Sequence, residues 1–455
     1  MRVLLIYAPI WKVMGFKSSY NTGLGIAFVG ARLREEGHEV RIIDAEAYQF
    51  WHEDLIKIIE EWKPTHIGIS SLITALKSAI DLSKMIKEKH PEIWIAIGGA
   101  GASSAPEYVL KTSKCDSVTV GEGEILVIDS FTKRGIIEGL SPEILDGLPT
   151  PAFDLIEPKI GSEYWSGQIP RPPGDFSVKE TVVMWSRGCP HKCIFCCKSS
   201  IRRGATRTRS PENIVAELDY LHKEFNINSV YVYDDELMGM SVAHNKWIMS
   251  VLEEIKKWNF EGGRKIPKIY LKGQGRCSKT LVTGELVKAF KDAGFFQLSM
   301  GCESGSDRIK EIIRKHLTNE DIRHTLPLIK KYGIEIYTFW MIGIPEETPK
   351  EAKETERLVA EMAPYTDYIQ ILVFTPFPSS DFWDTAIENG WLFPELNKDE
   401  RFEKAIEKLF GTFEGTPLLD MPWMTQEQIS AWQRKLYAVH YTTKEAWLQS
   451  HQDSL

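Results

Sequence analysis

Short β-branched apolar runs alternate with amphipathic stretches of helical period along most of this chain, and that rhythm restricts its fold more than any other feature. Apolar runs at 3–9, 39–44, 65–70, 93–99 and 117–123 are separated by helix-like segments at 24–36, 53–62, 75–89 and 106–112. Strands that are apolar throughout and joined by helices must pair in parallel and be covered on both faces. The first part therefore reads as an α/β, doubly wound, flavodoxin-like sheet over residues 1–145. Residues 146–180 are rich in Pro, Gly and Ser and read as a linker. A second βα series follows over 181–380, with strands at 181–188, 229–235, 268–273, 296–301, 335–343 and 368–374. Six strands in this rhythm predict a partial (β/α)6 barrel, with its site at the carboxyl ends of the strands. Residues 381–455 read as a helical C-terminal region.

A chain of 455 residues suits two or three domains. Its net charge of −8 disfavours binding a bare nucleic-acid backbone. The N-terminal apolar run continues as a strand, and no stretch is long enough to span a bilayer, so a cytoplasmic protein without nucleic-acid partners is expected. Seven cysteines in this length do not make a disulfide framework.

Three of those cysteines are concentrated. Cys189, Cys193 and Cys196 lie in RGCPHKCIFC (187–196), a Gly-led loop directly after a strand. Thiolates at these spacings can wrap one face of a four-iron cluster. Such clusters usually take four cysteines, so three leave one iron open to the amino and carboxylate groups of S-adenosylmethionine (SAM). A zinc loop completed by His191 or Cys197, or three core thiols, are the alternatives by ligand count.

The loop resembles the signature of the radical SAM superfamily. The likeness continues through RSPENI (209–214), Asp234-Asp235-Glu236, Glu303-Ser-Gly and GIPEET (343–348). It resembles the subgroup whose radical domain follows a cobalamin-binding domain. The resemblance implies a [4Fe–4S] cluster on Cys189, Cys193 and Cys196, with Phe195 near the adenine of SAM. It implies that Asp234 and Asp235 hold the SAM amino group and Glu303 the ribose, with Arg276 and Lys315 available to its carboxylate.

Residues 65–124 resemble the cobalamin domain of that subgroup, with small residues Ser70, Ser71, Gly98 and Gly99 at strand ends and Glu122 in a closing Gly-Glu-Gly-Glu. Small residues there would let a nucleotide tail approach the sheet edge. The Asp-x-His-x-x-Gly motif is missing, and Gly101 stands where the subgroup often has His. The resemblance thus implies cobalamin without a protein histidine beneath the cobalt, a vestigial domain that binds no corrinoid being the alternative, and Trp11, Lys12, Val13 and Met14, in the loop after the first strand, are expected near the lower face.

The expected activity is an oxygen-sensitive, cobalamin-dependent radical SAM methyltransferase. It would act on an unactivated carbon through a 5′-deoxyadenosyl radical and methylcobalamin. A rearrangement, cyclisation or carbon–carbon coupling without methyl transfer is the alternative within enzymes, and a corrinoid carrier or redox sensor the alternative outside them. An RNA-modifying methylthiotransferase would need further N-terminal cysteines, whereas only Cys115 precedes residue 189. The implied partners are a small-molecule or peptide substrate and an external electron donor such as a flavodoxin or ferredoxin. No catalytic acid or base is assigned.

Overall fold

A computed structural model describes residues 1–14, 23–156, 172, 178–197, 206–393, 395–409 and 423–450, with the side chains of Val13 and Met14 outside that description. Two parallel sheets organise it.

The first contains β1 (Arg2–Tyr7), β2 (Glu39–Asp44), β3 (His66–Ser70), β4 (Trp94–Gly98), β5 (Ser117–Val120) and β6 (Gly135–Glu138), in the order β2-β1-β3-β4-β5-β6. All its pairs are parallel. The order reverses between β1 and β3, the switch point at which such sheets open a crevice for ligands. Strand β6 was not anticipated. Its four residues are too few to show a period, and only pairing with β5 defines it.

The second sheet contains β7 (Glu180–Val183), β10 (Ser229–Val232), β11 (Tyr270–Arg276), β12 (Phe295–Glu303), β13 (Glu335–Ile342) and β14 (Tyr368–Val373). Its order β14-β13-β12-β11-β10-β7 is strictly sequential and parallel throughout, the open arc of a partial barrel. Between β7 and β10 lies a two-residue antiparallel hairpin, β8 (Ser186–Arg187) with β9 (Arg207–Thr208). The run 181–188 reads as one strand in sequence but is broken in two. Asp234, after β10, accepts from the Trp185 amide at 2.7 Å and the Ser186 hydroxyl at 2.5 Å. These bonds replace ladder bonds and turn the chain toward the hairpin.

The covered face of the second sheet is apolar. Val230, Leu271, Leu298, Ile336 and Ile371 are fully buried and share one apolar cluster with Val3, Leu5, Phe28 and Phe153 of the first domain. Residues 146–156, at the start of the expected linker, pack back onto the first domain. Ala152 donates its amide to the Ala27 carbonyl, and Asp154 pairs with Arg34 at 2.6 Å.

The final helix, Gln426–Ser450, closes the open edge of β14. Tyr437 accepts from the Ile371 amide at 2.9 Å, and Gln433 donates to the Ile371 carbonyl at 2.7 Å. An uncovered edge would present both groups to another chain. Among the described residues no helix is long and apolar enough to cross a membrane.

Candidate active site

The three-thiol loop is held at its stem and along its length. Arg187 and Arg207 face one another in the β8/β9 register, so the chain that carries the thiols is pinned at its base. Backbone bonds run from the Ile194 amide to the Ile313 carbonyl and from the Phe382 amide to the Ile194 carbonyl. The Cys193 thiol lies 3.6 Å from the Arg314 carbonyl. Burial pushes the Cys193 thiol up in pKa, against the pull of Lys315 and Arg276. An electropositive ligand would be needed to keep it ionised.

Around the loop the barrel's strand ends gather charged groups. Lys315 pairs with Glu303 at 2.8 Å, both nearly buried. Burial disfavours the Lys315 ammonium, but Glu303, Glu236 and Cys193 outweigh it, and its pKa rises above the ordinary value. Glu303 sits at φ 63°, where β12 bulges past Gly301. A Cβ at Gly301 would come within 2.6 Å of the Glu303 carboxylate, so glycine leaves room for the pair. Left-handed φ at a non-glycine residue is strained and needs surrounding structure to hold it.

Glu236 joins this group. It lies 3.3 Å from His191 of the loop and 3.9 Å from Arg276. Burial opposes its charge, but His191, Lys315 and Arg276 together keep its carboxyl below the usual range. Donor atoms of Cys189, His191 and Glu236 lie within 4.8 Å of one another. In the sequence Glu236 stands only as part of an acidic turn. Its position at a strand end was visible, but its partners come from 40 or more residues away.

Arg276, Glu303 and Lys315 are thus brought together beside Cys193. The Nη1 and Nη2 atoms of Arg276 are buried with no hydrogen-bond partner among the described residues. A buried guanidinium in that state fits an anionic ligand. Three thiols beside an unsatisfied guanidinium and buried carboxylates match a cluster with a chelated ligand bearing an ammonium, a carboxylate and hydroxyls. Asp235 is buried at the same strand end. Asp234 is fully buried beside it, its two carboxylate oxygens accepting from the Trp185 amide and the Ser186 hydroxyl.

The inner face of the arc runs away from this cage. Register aligns Tyr231 with Lys272 and Gln297, then Gln274 with Ser299, Tyr337 and Tyr368, then Arg276 with Gly301, Phe339 and Gln370. Tyr231 and Tyr233 meet edge to face at 5.4 Å, and Tyr337 lies 5.0 Å from Phe339. Below them Lys272 and Glu180 neutralise each other at 2.7 Å.

The carboxyl edge of the first sheet is narrow by construction. Ser70 pairs with Gly98 across β3 and β4. Ser71 donates its amide to Gly98 and accepts from Gly101. Gly99 has φ 89°, and a Cβ there would meet the Ser71 carbonyl at 2.7 Å and the Ser70 hydroxyl at 2.8 Å. The Ser71 hydroxyl is buried without a hydrogen-bond partner among the described residues. This cradle of small residues fits an extended polar tail lying along the edge. His38, His66 and His90 stand at the amino ends of β2, β3 and β4, on the opposite edge, and buried His52 bonds Ser78 at 2.9 Å. Trp11 donates to the Phe50 carbonyl and packs against Trp51, while Lys12 is exposed.

Glu122 does not present a free carboxylate to a cofactor. It accepts from Arg187 at 2.7 Å and from both terminal nitrogens of Arg207. Burial raises its pKa, but the two arginines more than reverse this and hold it below the ordinary value. The two carboxyl edges therefore meet. Ile73, Ala105 and Tyr108 of the first domain share an apolar cluster with Ile194 and Phe195 of the loop and Phe374 and Phe382 beyond the barrel.

This fold and site define a class of iron–sulfur protein in which a three-thiol loop caps an open parallel barrel beside a doubly wound cofactor sheet. The sequence model of the radical SAM superfamily matches residues 183–359, and that of the B12 binding domain matches residues 18–128. The chain is 29% identical to an uncharacterized methyltransferase of Pyrococcus horikoshii, over 97% of this chain and 92% of that protein. The anaerobic magnesium-protoporphyrin IX monomethyl ester cyclase of Rubrivivax gelatinosus is 24% identical, over 84% of this chain and 69% of its own. The structure of the radical S-adenosylmethionine methyltransferase TsrM from Kitasatospora setae, with cobalamin and a [4Fe–4S] cluster bound, shares the fold at a TM-score of 0.64 and 15% identity. That match covers 98% of this chain and 100% of the other.

Proposed function

We propose that this protein is a cobalamin-dependent radical SAM methyltransferase that modifies a small-molecule or peptide substrate at an unactivated carbon. The observation that carries the reading is the meeting of the two carboxyl edges, joined where Arg187 of the cluster-loop stem pairs with Glu122 and Glu124. One substrate between them would face both cofactors. When bound, the cluster supplies the electron that splits SAM and the corrinoid supplies a carrier for the methyl group.

The chain's own residues supply placement and charge. Cys189, Cys193 and Cys196 would hold the cluster, Arg276 would take the SAM carboxylate, and Asp235 with Glu236 would receive its ammonium. Glu303, fixed by Lys315, is placed for the ribose hydroxyls. Phe195 would pack on the adenine. Ser70, Ser71, Gly98 and Gly99 would border the nucleotide tail of cobalamin. No histidine of the first domain would reach the cobalt. Tyr231, Tyr233, Tyr337 and Phe339 would line the substrate's seat. The electron would come from a flavodoxin or ferredoxin.

Cyclisation without methyl transfer is the second reading, favoured by the likeness to the cyclase. Anaerobic, reconstituted protein reduced in the presence of SAM and substrate separates the readings. A methyltransferase releases S-adenosylhomocysteine, the product of methyl loss, together with 5′-deoxyadenosine. A cyclase releases 5′-deoxyadenosine alone, and a carrier or sensor releases neither.

A further inference from the structure

We propose that Arg187, Arg207, Glu122 and Glu124 form a positioning clamp that sets the separation of the two cofactors. The proposal rests on the reading that both cofactors bind. The two arginines are cross-strand partners at the stem of the loop that bears all three thiols. Arg187 forks, with Nη1 2.7 Å from Glu122 and Nη2 2.8 Å from Glu124. Arg207 grips the same Glu122 and also donates to the Pro142 carbonyl at 2.8 Å. The Arg187 guanidinium lies 4.8 Å from the Phe28 ring, on the first-domain helix Leu24–Glu35.

Side-chain exposures of 6% for Arg187, 4% for Glu122 and 7% for Glu124 make the difference between a surface contact and a clamp. Two cations and two anions balance, so the network is neutral as a whole. Separating them would leave desolvated single charges, which is far costlier than breaking an exposed pair. Stem and sheet edge therefore move as one body.

The clamp also connects onward to the cobalamin edge. Glu122 follows Gly121, whose amide donates to the Ser103 hydroxyl at 2.9 Å. Ser103 lies in the short helix Gly99–Ser104, which begins at the small-residue cradle. On the other side, Arg187 stands two residues before Cys189. Thus one short chain of bonds runs from the cradle to the first thiol. These four residues touch neither reacting centre and act by holding the elements that do.

The test uses the full chain with its cluster reconstituted and hydroxocobalamin bound, both centres then reduced to their paramagnetic forms. Electron paramagnetic resonance reads the dipolar interaction between cob(II)alamin and the reduced cluster. Wild type should show one resolved interaction. Arg187→Lys keeps the charge but cannot fork, and Glu124→Gln keeps shape while removing one anion. Both should retain iron and corrinoid yet lose the resolved splitting to a broad distribution. Asp154→Asn, which breaks the exposed pair with Arg34, should leave it intact. Should Arg187→Lys fail to fold, Glu124→Gln carries the test. Unchanged splitting in a folded variant, or its absence from wild type with both centres bound, overturns the clamp. Failure of wild type to retain hydroxocobalamin overturns the cobalamin reading and the clamp with it.

Discussion

The Glu303 carboxylate and the Lys315 ammonium lie 2.8 Å apart at the mouth of the barrel, each held by left-handed backbone. Glu303 itself has φ 63°, and Lys315 is flanked by Arg314 at φ 53° and His316 at φ 50°. Strain of about 1–3 kcal/mol at each such residue persists only where the surroundings fix it. Glu303→Ala should therefore weaken SAM binding while leaving the cluster in place. A lost charge-assisted hydrogen bond is worth about 1.5–3 kcal/mol, or roughly ten- to a hundred-fold in affinity. Equilibrium binding of SAM alongside an iron assay measures both. Unchanged affinity would make the pair purely structural.

Cys189→Ala, Cys193→Ala and Cys196→Ala should each abolish the cluster and SAM cleavage, whereas Cys197→Ala should keep most of the iron. Iron content and visible absorption of the cluster report the outcome. A triad variant with its full cluster would refute the ligand assignment.

Gly99→Val places a branched side chain where even a Cβ comes within 2.7 Å of the Ser71 carbonyl, at φ 89°. A non-glycine residue in that conformation costs on the order of 1–3 kcal/mol before any clash. The variant should unfold at lower temperature and retain less hydroxocobalamin after gel filtration. Normal retention would mean the nucleotide tail does not run past this cradle.

Stability should fall with rising pH through Glu347. Burial raises its carboxyl to about 8, although the Gly343 and Ile344 amides donate to it. The folded chain then keeps a proton that the unfolded chain gives up near pH 4.5. Linkage makes this contribution complete below pH 4.5 and lost as pH rises through about 8. Glu347→Gln, which mimics the protonated acid, should flatten that part of the profile by on the order of a few kcal/mol. Denaturant melts at pH 5, 7 and 9 compare the two chains, and parallel profiles would count against a protonated Glu347.

The cysteine loop and both βα series were legible in sequence, because thiol spacing and apolar period are local properties of the chain. So were Arg276 and Glu303 as charged groups at strand ends, whereas Lys315 followed only from the family resemblance. The partners of Asp234 and Glu122 were not. Asp234 meets Trp185 and Ser186, 49 and 48 residues distant, and Glu122 meets Arg187 and Arg207, 65 and 85 residues distant. Nothing local distinguishes a carboxylate that will bind a ligand from one that will meet an arginine of another domain. Sequence alone therefore determined most strands and helices of the two βα series, β6 and the break after β7 excepted, and where the clustered thiols lie. Tertiary structure alone decided which of these charges gather beside the thiol loop and which pair across the domains, since burial and long-range pairing set the partners of the buried ions.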